Sequence, residues 1–338
     1  MISATHKMLT RWRLCQYWHR FLTDNTRRVI IGKTTQVRHG VPDSITLIMR
    51  SQGALVNSIT VREATMADRP LVIQLAKRAA RVHSRLEIGD TDDWLDGRPF
   101  LLAIARGRLW GFILCTLYHS QRALLRGVGL VDDWSMRAYL ETLLPPTLDR
   151  LRSQHITSLV YIGNDRWLTD PLLRDWNFSI QNSVVTYTKK DLSIPTRGNQ
   201  QVHVRPAQSG DFPALVALDG ATFDPLWRNA SQTFAHALEN LPYFVVAELA
   251  GQTVGYLFSN RQENIGHLNR VAVHPDYQGL GIGARLLAEA IEFFRMEKVK
   301  VITLNTQKDN AVSQRLYRRL GFQPMGEEAL VLKRDLAL

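Results

Sequence analysis

Cysteine is nearly absent: the chain of 338 residues has two, Cys15 and Cys115. Neither belongs to a cluster at metal-ligand spacing, so no disulfide framework and no metal are expected, and a reducing, cytoplasmic compartment is. Long apolar runs are missing as well. None approaches 18 residues, which removes a transmembrane helix. Gly32-Lys33-Thr34 has Arg27 where the first glycine of a P-loop would stand, which removes a P-loop. Acidic residues are in deficit, 31 against 42 Lys and Arg, for a formal net charge of +11. That excess suggests nucleic acid only until it is located. Residues 1–57 carry nine basic and two acidic residues, 58–200 nineteen and fifteen, and 201–338 fourteen of each. The C-terminal part is neutral, which argues against a nucleic-acid partner there.

What is present fits two globular domains of ordinary composition. In the basic N-terminal segment Met8, Leu9, Trp12, Tyr17, Trp18 and Phe21 lie among Arg11, Arg13, Arg20, Arg27 and Arg28. An amphipathic, acid-poor start of this kind reads as a transit peptide, as a helix lying on a membrane surface, or as a disordered extension. It lacks the long apolar core of a secretory signal. The third reading is preferred for 1–57, Met49 offering an alternative start beside the first domain.

The chain then repeats itself. Val61-Arg62-x-Ala64-x-x-x-Asp68 returns as Val204-Arg205-x-Ala207-x-x-x-Asp211, and Gly107-x-x-x-Gly111 as Gly251-x-x-x-Gly255. Arg174-x-x-x-Phe178 returns as Arg318-x-x-x-Phe322, and Lys189-Lys-Asp-Leu192 as Lys333-Arg-Asp-Leu336. The offset is 143 at the start and 144 thereafter. Domains are expected at 58–192 and 201–338, joined by a linker at 193–200 that Pro195 and Gly198 break. In the second half, strands are expected over 202–205, 244–249, 253–260, 267–273 and 300–305, then from 322 and again over 329–333. Helices are expected after Asp211 and Ser231 as caps, over 283–297, and from Asn310 to Gly321. This is an α+β fold, a mixed twisted sheet flanked by helices, built twice.

One stretch of the second half carries chemistry. A β-branched run ends at Val273, His274-Pro275-Asp276 turns the chain, and Gln278-Gly279-Leu280-Gly281-Ile282-Gly283 leads into an amphipathic helix. Backbone amides on a glycine turn at a helix N-terminus make a site for a pyrophosphate. Gly279-x-Gly281-x-x-Ala284 also fits a loose dinucleotide fingerprint. That fold needs its glycines at the strand end and an acidic residue about 20 positions on. Here five residues intervene, the next strand ends in Asn305, and too little chain follows for further βαβ units.

Gln278-x-x-Gly281-x-Gly283, followed by Asn310-Ala-Val-Ser-Gln-Arg-Leu-Tyr317-Arg-Arg-Leu-Gly321-Phe322, resembles the two signatures of the GNAT superfamily of N-acetyltransferases. The resemblance covers about 201–336. In loop and helix it is similar to ribosomal-protein alanine N-acetyltransferases, and the tandem architecture resembles mycothiol synthase. It implies acetyl-CoA as co-substrate, its pyrophosphate on Gln278, Gly279, Leu280, Gly281, Ile282, Gly283 and Ala284. Val271, Ala272 and Val273 would pair with the pantetheine arm like an added strand, beside a bulge that splays this strand from the next. Asn310 and Ser313 would also contact the cofactor. Tyr317 would protonate the leaving thiolate. A primary amine, on a small molecule or a protein N-terminus, would receive the acetyl group directly. The base is open: Asn305 stands where the alanine acetyltransferases place a Glu, and His267 or water would take the proton. Asp224, Trp227 and Arg228, with the hairpin end at 260–266, would face the acceptor. A CoA-binding module without turnover is the alternative.

The first half lacks the loop. It reads Arg126-Gly-Val-Gly-Leu-Val-Asp-Asp-Trp-Ser135, with Asp132 and Asp133 where a pyrophosphate would lie and Asn177 in place of the last Gly. A degenerate domain is expected, one that shapes the acceptor cleft or supports the second half. Its tryptophans, Trp94, Trp110, Trp134, Trp167 and Trp176, are expected in core or interface.

Overall fold

The computed structural model describes residues 44–49, 57–84, 99–118, 121–229 and 231–336. The aromatic-basic stretch from Met8 to Arg28, Cys15 and Trp94 lie outside the described residues. The described part of the expected N-terminal extension is not bare coil. β1 (Ser44–Met49) pairs antiparallel with β2 (Asn57–Glu63), Ser44 facing Arg62 and Met49 facing Asn57. The run Ser-Ile-Thr-Leu-Ile-Met is rich in β-branched and apolar residues, as strands are, a signal masked by the basic composition of the segment. No helix among the described residues is long and apolar enough to cross a membrane.

The described chain forms two compact units, one of 44–181 with 330–336 and one of 182–329. The first is not a single stretch of sequence, and neither ends where the repeat boundary places it. The N-terminal unit has strand order β1-β2-β4-β5-β6-β7-β14, with β3 against β6. Its strands are β3 (Arg81–Ser84), β4 (Phe100–Ala105), β5 (Arg108–Tyr118), β6 (Arg122–Leu130), β7 (Ser158–Gly163) and the last part of β14 (Gln323–Asp335). The C-terminal unit has the order β8-β13-β12-β11-β10-β9, from β8 (Ser179–Lys189), β9 (His203–Pro206), β10 (Tyr243–Leu249), β11 (Gln252–Gln262), β12 (Ile265–Val273) and β13 (Val301–Gln307). Residues 184–189 of β8 pair with β13, and 330–335 of β14 pair with β7. β14 is one strand of 13 residues where two short ones were expected.

The repeated motif is one structural device used twice. Arg62 forks onto Asp68 at 2.6 and 2.8 Å, and Asp68 accepts the Thr65 amide at 2.8 Å. Arg205 forks onto Asp211 at 2.8 and 2.9 Å, and Asp211 accepts the Gln208 amide at 2.8 Å. In each case the carboxylate closes a 3₁₀ turn ahead of a helix, α1 (Arg69–Arg78) or α4 (Phe212–Thr222). Asp211 therefore stands at the N-cap of α4 without bonding its amides; the turn and the guanidinium take its oxygens. Bidentate pairing of this kind is charge-assisted and geometrically specific. The Arg62 guanidinium holds the Asp68 carboxyl well below the usual carboxylate range.

Helices cover both sheets. In the N-terminal unit α2 (Met136–Ser153) buries Tyr139, Leu140, Leu143, Leu144, Leu148 and Leu151 among Leu159, Tyr161 and Leu332, with α3 (Arg166–Asp175) beside it. Trp134 is core, and Trp110, Trp167 and Trp176 pack at its margin. Asn177 takes the left-handed conformation (φ 52) that Gly321 takes in the other unit (φ 86), so the substitution kept the backbone. In the C-terminal unit α4 and α5 (Ser231–Asn240) cover one sheet face. α6 (Ile282–Met296) and α7 (Ala311–Arg319) cover the other. Ile282, Leu286, Leu287, Ala290, Ile291 and Phe294 form the apolar stripe of α6, a 3.6-residue period that drops it onto Leu268, Ile302 and Leu304. Each fully buried Leu or Ile contributes about 1.5–3 kcal/mol, which fixes the N-terminus of α6 where the glycine loop meets it.

Candidate active site

β12 and β13 begin as a parallel pair at Ile265–Val301 and separate after Leu268–Leu304. The cause lies on the other side of β12. Phe258 of β11 faces Arg270 and Ser259 faces Leu268, leaving Asn269 as an extra residue. Such a bulge bends the strand and raises its twist. Beyond it, the His274 amide bonds the Val254 carbonyl on β11 at 2.9 Å. By strand alternation, Val273 and Val271 turn their backbone groups toward the opposite edge, which no strand among the described residues takes.

The turn that follows has the backbone expected of an anion site. Pro275–Tyr277 form one 3₁₀ turn, and Gly279 and Gly281 have φ of 83° and 77°. Gly281 is the left-handed N-cap of α6 and offers no side chain to its first amides. A side chain is strained in that conformation, and without one the amides of Ile282, Gly283 and Ala284 face outward at the positive end of the helix. A Cβ on Gly283 would stand 3.0 Å from Leu316 of α7, so this glycine sets the approach of the two helices. The expected linker is part of the same construction. Asn199 donates its amide to Gly281 O at 3.3 Å and its Nδ2 to Leu280 O at 3.0 Å, and Arg285 reaches Gln200 at 2.9 Å.

A groove of about 850 Å³ runs over this surface. Val271, Ala272, Val273, Gln278, Gly279, Gly281, Ile282, Gly283, Ala284, Asn310, Ser313, Asp224 and Trp227 all line it. Leu280 does not; its side chain is half exposed. A cavity of about 100 Å³ adjoins the groove and shares Val271, Trp227, Asn310 and Ser313 with it. Its further lining brings together Tyr317 and His267, with Asn269, Arg270 and Asn305. Arg228 lines neither space: its Nε donates to Phe223 O at 2.9 Å and closes its own loop. Residues 260–266 line neither.

The two candidate proton carriers differ in chemistry. Tyr317 is 5% exposed, and burial pushes its phenol up to about 12, opposed by a hydrogen bond from Ser313 one turn earlier. It is a protonated donor at neutral pH. Asn310 caps α7 by accepting the Ser313 amide at 3.0 Å, so cap, serine and tyrosine form one line down the helix. His267 is 3% exposed, and burial lowers its imidazole to about 4. The Thr303 hydroxyl donates to Gly266 O at 3.2 Å, so it accepts from His267 Nδ1 at 2.8 Å, and the lone pair falls on Nε2.

A buried network holds the loop from Phe223 to Asn229. Asp219, fully buried on α4, meets Arg270 at 2.6 Å, the Asn229 amide at 2.6 Å and the Tyr256 hydroxyl. Arg270 also donates to Trp227 O at 2.6 Å and lies 3.4 Å over the Phe223 ring. Trp227 is thereby pinned between groove and cavity. Sequence reasoning missed this network. Its one signal was Asp219, the only acid within the apolar run Phe212–Thr222. It also missed Arg315 and Arg319, which with Val312 and Leu316 form the stripe of α7 facing the groove.

Comparison with known proteins agrees with this architecture. The acetyltransferase (GNAT) family profile matches residues 212–322. Over 142 residues the chain is 32% identical to an L-methionine sulfoximine/L-methionine sulfone acetyltransferase of Pseudomonas paraeruginosa, covering 37% of this chain and 81% of that one. Over 125 residues it is 26% identical to a putative ribosomal protein bS18 alanine N-acetyltransferase of Bacillus subtilis, covering 36% of this chain and 82% of that one. Several other curated relatives are spanned over only 27–54% of their length. In fold, a tandem GNAT protein of the clavulanic acid biosynthesis pathway superposes with a TM-score of 0.60 at 12% identity, covering 83% of this chain and 99% of that one. A splayed β12, a glycine turn feeding α6, and a profile match over both lead to one assignment: the chain belongs to the GNAT family of acyl-CoA-dependent N-acetyltransferases.

Proposed function

We propose that residues 182–329 bind acetyl-CoA along the groove and pass its acetyl group directly to a primary amine, most simply an α-amino group. One observation carries the reading: the open edge at Val271 and Val273, the left-handed glycine turn, and a buried, protonated Tyr317 border two adjoining spaces. The amides from Gln278 to Ala284 suit a pyrophosphate, and the open edge suits the amide-bearing pantetheine arm. Acetyl-CoA supplies the activated acyl group; the chain holds, orients and protonates. An edge amide at Val271 would polarise the thioester carbonyl, the geometry of an oxyanion hole. Tyr317 would give its proton to the departing sulfur, kept aligned by Ser313.

His267 is the weaker base. An imidazole held near 4 by burial takes a proton poorly at neutral pH, which favours water as proton carrier with His267 at the cavity wall. Trp227 and Asp224 would receive the acceptor, and Arg228 would shape the loop. Both named relatives support an α-amine: one is named for an alanine N-acetyltransferase, the other for acetylation of an amino-acid analogue. The test is acetyl-CoA consumption across a panel of amino acids and peptides with free N-termini. Gly281→Glu should abolish cofactor binding, and Tyr317→Phe should retain binding while losing turnover. Unchanged affinity in Gly281→Glu would refute the loop assignment.

A further inference from the structure

The N-terminal unit builds the same splayed slot and then fills it with its own chain. Its β6–β7 pair is parallel from Arg122–Ser158 to Leu124–Val160 and goes no further. On the other side of β6, Leu114 faces Gly127 and Cys115 faces Leu125, so Arg126 is the extra residue, as Asn269 is in the C-terminal unit. The Val131 amide bonds Trp110 O at 2.8 Å, the counterpart of the bond from His274 to Val254. By the same alternation, Leu130 and Val128 turn toward the opposite edge, as Val273 and Val271 do. Here that edge is taken. β3 lies antiparallel along it, Arg81 facing Leu130, Val82 facing Gly129, His83 facing Val128 and Ser84 facing Gly127.

Side chains lock β3 at both ends. Arg81 Nη2 donates to the carbonyl oxygens of Val131 at 3.1 Å, Asp132 at 2.6 Å and Trp134 at 2.8 Å. The Ala80 amide donates to Asp132 Oδ1 at 3.0 Å. His83 is 7% exposed, meets Asp165 Oδ2 through Nδ1 at 2.7 Å and packs its ring 4.8 Å from that of Tyr161. The polarity of the loop after β6 is thus the reverse of the glycine turn after β12. It offers carbonyl oxygens to a guanidinium and a carboxylate to a backbone amide, where the other offers amides to an anion.

We propose that β3 is a built-in strand complement that closes the N-terminal slot, so that the chain takes up one acyl-CoA, in the C-terminal unit alone. The count rests on the cofactor reading given above; the closure does not. The slot was retained as a place to bind an extended backbone, and an internal strand supplies it by β-addition. Edge closure of this kind also protects a splayed sheet from pairing with other chains.

Two measurements on the full chain test this. Titration calorimetry with acetyl-CoA should give one equivalent per chain, and none in Gly281→Glu. Hydrogen exchange at Val128 and Leu130, whose amides face β3, should be slow without ligand and unchanged by acetyl-CoA, while Val271 and Val273 slow only when it is added. The double variant Arg81→Ala, His83→Ala should speed exchange at Val128 and Leu130 by on the order of tenfold or more and leave acetyl-CoA affinity unchanged. Two equivalents, or one that survives Gly281→Glu, would overturn the proposal, as would fast exchange at Val128 and Leu130 in the free wild-type chain. Absence of any binding with slow exchange at Val128 and Leu130 would sink the cofactor reading and leave the closure standing.

Discussion

Gly198 lies against the turn ahead of α6 so closely that a Cβ would stand 2.3 Å from the amide nitrogen of Arg285 and 2.5 Å from the carbonyl oxygen of Gly281. Both contacts are to backbone, and Gly198 itself has a φ of 65°. No rotamer relieves them. The glycine turn is therefore shaped from outside, by the segment 193–200, as well as by its own glycines. Gly198→Ala should cost about 1–3 kcal/mol of stability and weaken acetyl-CoA binding about tenfold or more, by shifting the amides that α6 presents. Thermal unfolding with and without ligand reads both. An unchanged affinity would show that the brace does not control the turn.

Tyr317→Phe should lower kcat by about a hundredfold or more while KM for acetyl-CoA stays within about twofold. Because burial holds the phenol near 12, its ionisation should not appear in the rate profile below about pH 10. An alkaline decline that vanishes in Tyr317→Phe would contradict a proton donor with this environment.

Asp219→Asn would leave Arg270 buried without its counter-charge. Loss of one partner of a buried pair costs about 3–5 kcal/mol. The change should loosen the loop from Phe223 to Asn229, alter the Trp227 fluorescence, and raise KM for the amine more than KM for acetyl-CoA. Equal effects on both substrates would argue that the network supports the sheet generally and not the acceptor loop.

His267 ties stability to pH. Its folded value, about 4, lies below the unfolded value of about 6.5. Between these limits the unfolded chain binds a proton that the folded chain does not. Stability from this group is complete above pH 6.5 or so and is lost as pH falls toward 4, with a slope of up to about 1.4 kcal/mol per pH unit. His267→Gln should lack that slope, so the stability difference between wild type and variant should change with pH by that amount in denaturant titrations. An identical pH dependence in both would place the titration elsewhere.

The fold was legible wherever side chains carry the pattern. The tandem organisation followed from Arg62, Asp68 and their counterparts Arg205 and Asp211, because a forked ion pair leaves a spacing in the sequence. The glycine turn followed from Gly279 and Gly281, because few other residues suit a left-handed backbone. The bulges at Arg126 and Asn269 left no such mark, since an extra residue in a strand is a backbone event that many side chains tolerate. Asp219 was hidden for another reason: its partners Arg270 and Tyr256 are distant in sequence, and nothing local announces a buried charge. Arg228 was expected to meet an acceptor because of its charge, yet a backbone carbonyl five residues away claims its Nε. The unit boundaries were obscured by the repeat itself, which marks where copies begin but not which strands they exchange.

That exchange sets an order of assembly. The strand that pairs with β13 lies ahead of the repeat boundary, and the strand that pairs with β7 lies at the far end of the second copy. A single cut within 193–200 would not release two complete units; it would strip the C-terminal one of 184–189 and the N-terminal one of 330–335. During synthesis the earliest-made unit is consequently the last to be finished. The free edge of β7 waits for residues some 170 positions downstream, roughly ten to thirty seconds at ordinary elongation rates. Over that interval the nascent chain exposes an apolar sheet edge, and nonsense or frameshift products lacking 330–335 should aggregate although residues 182–329 are entire.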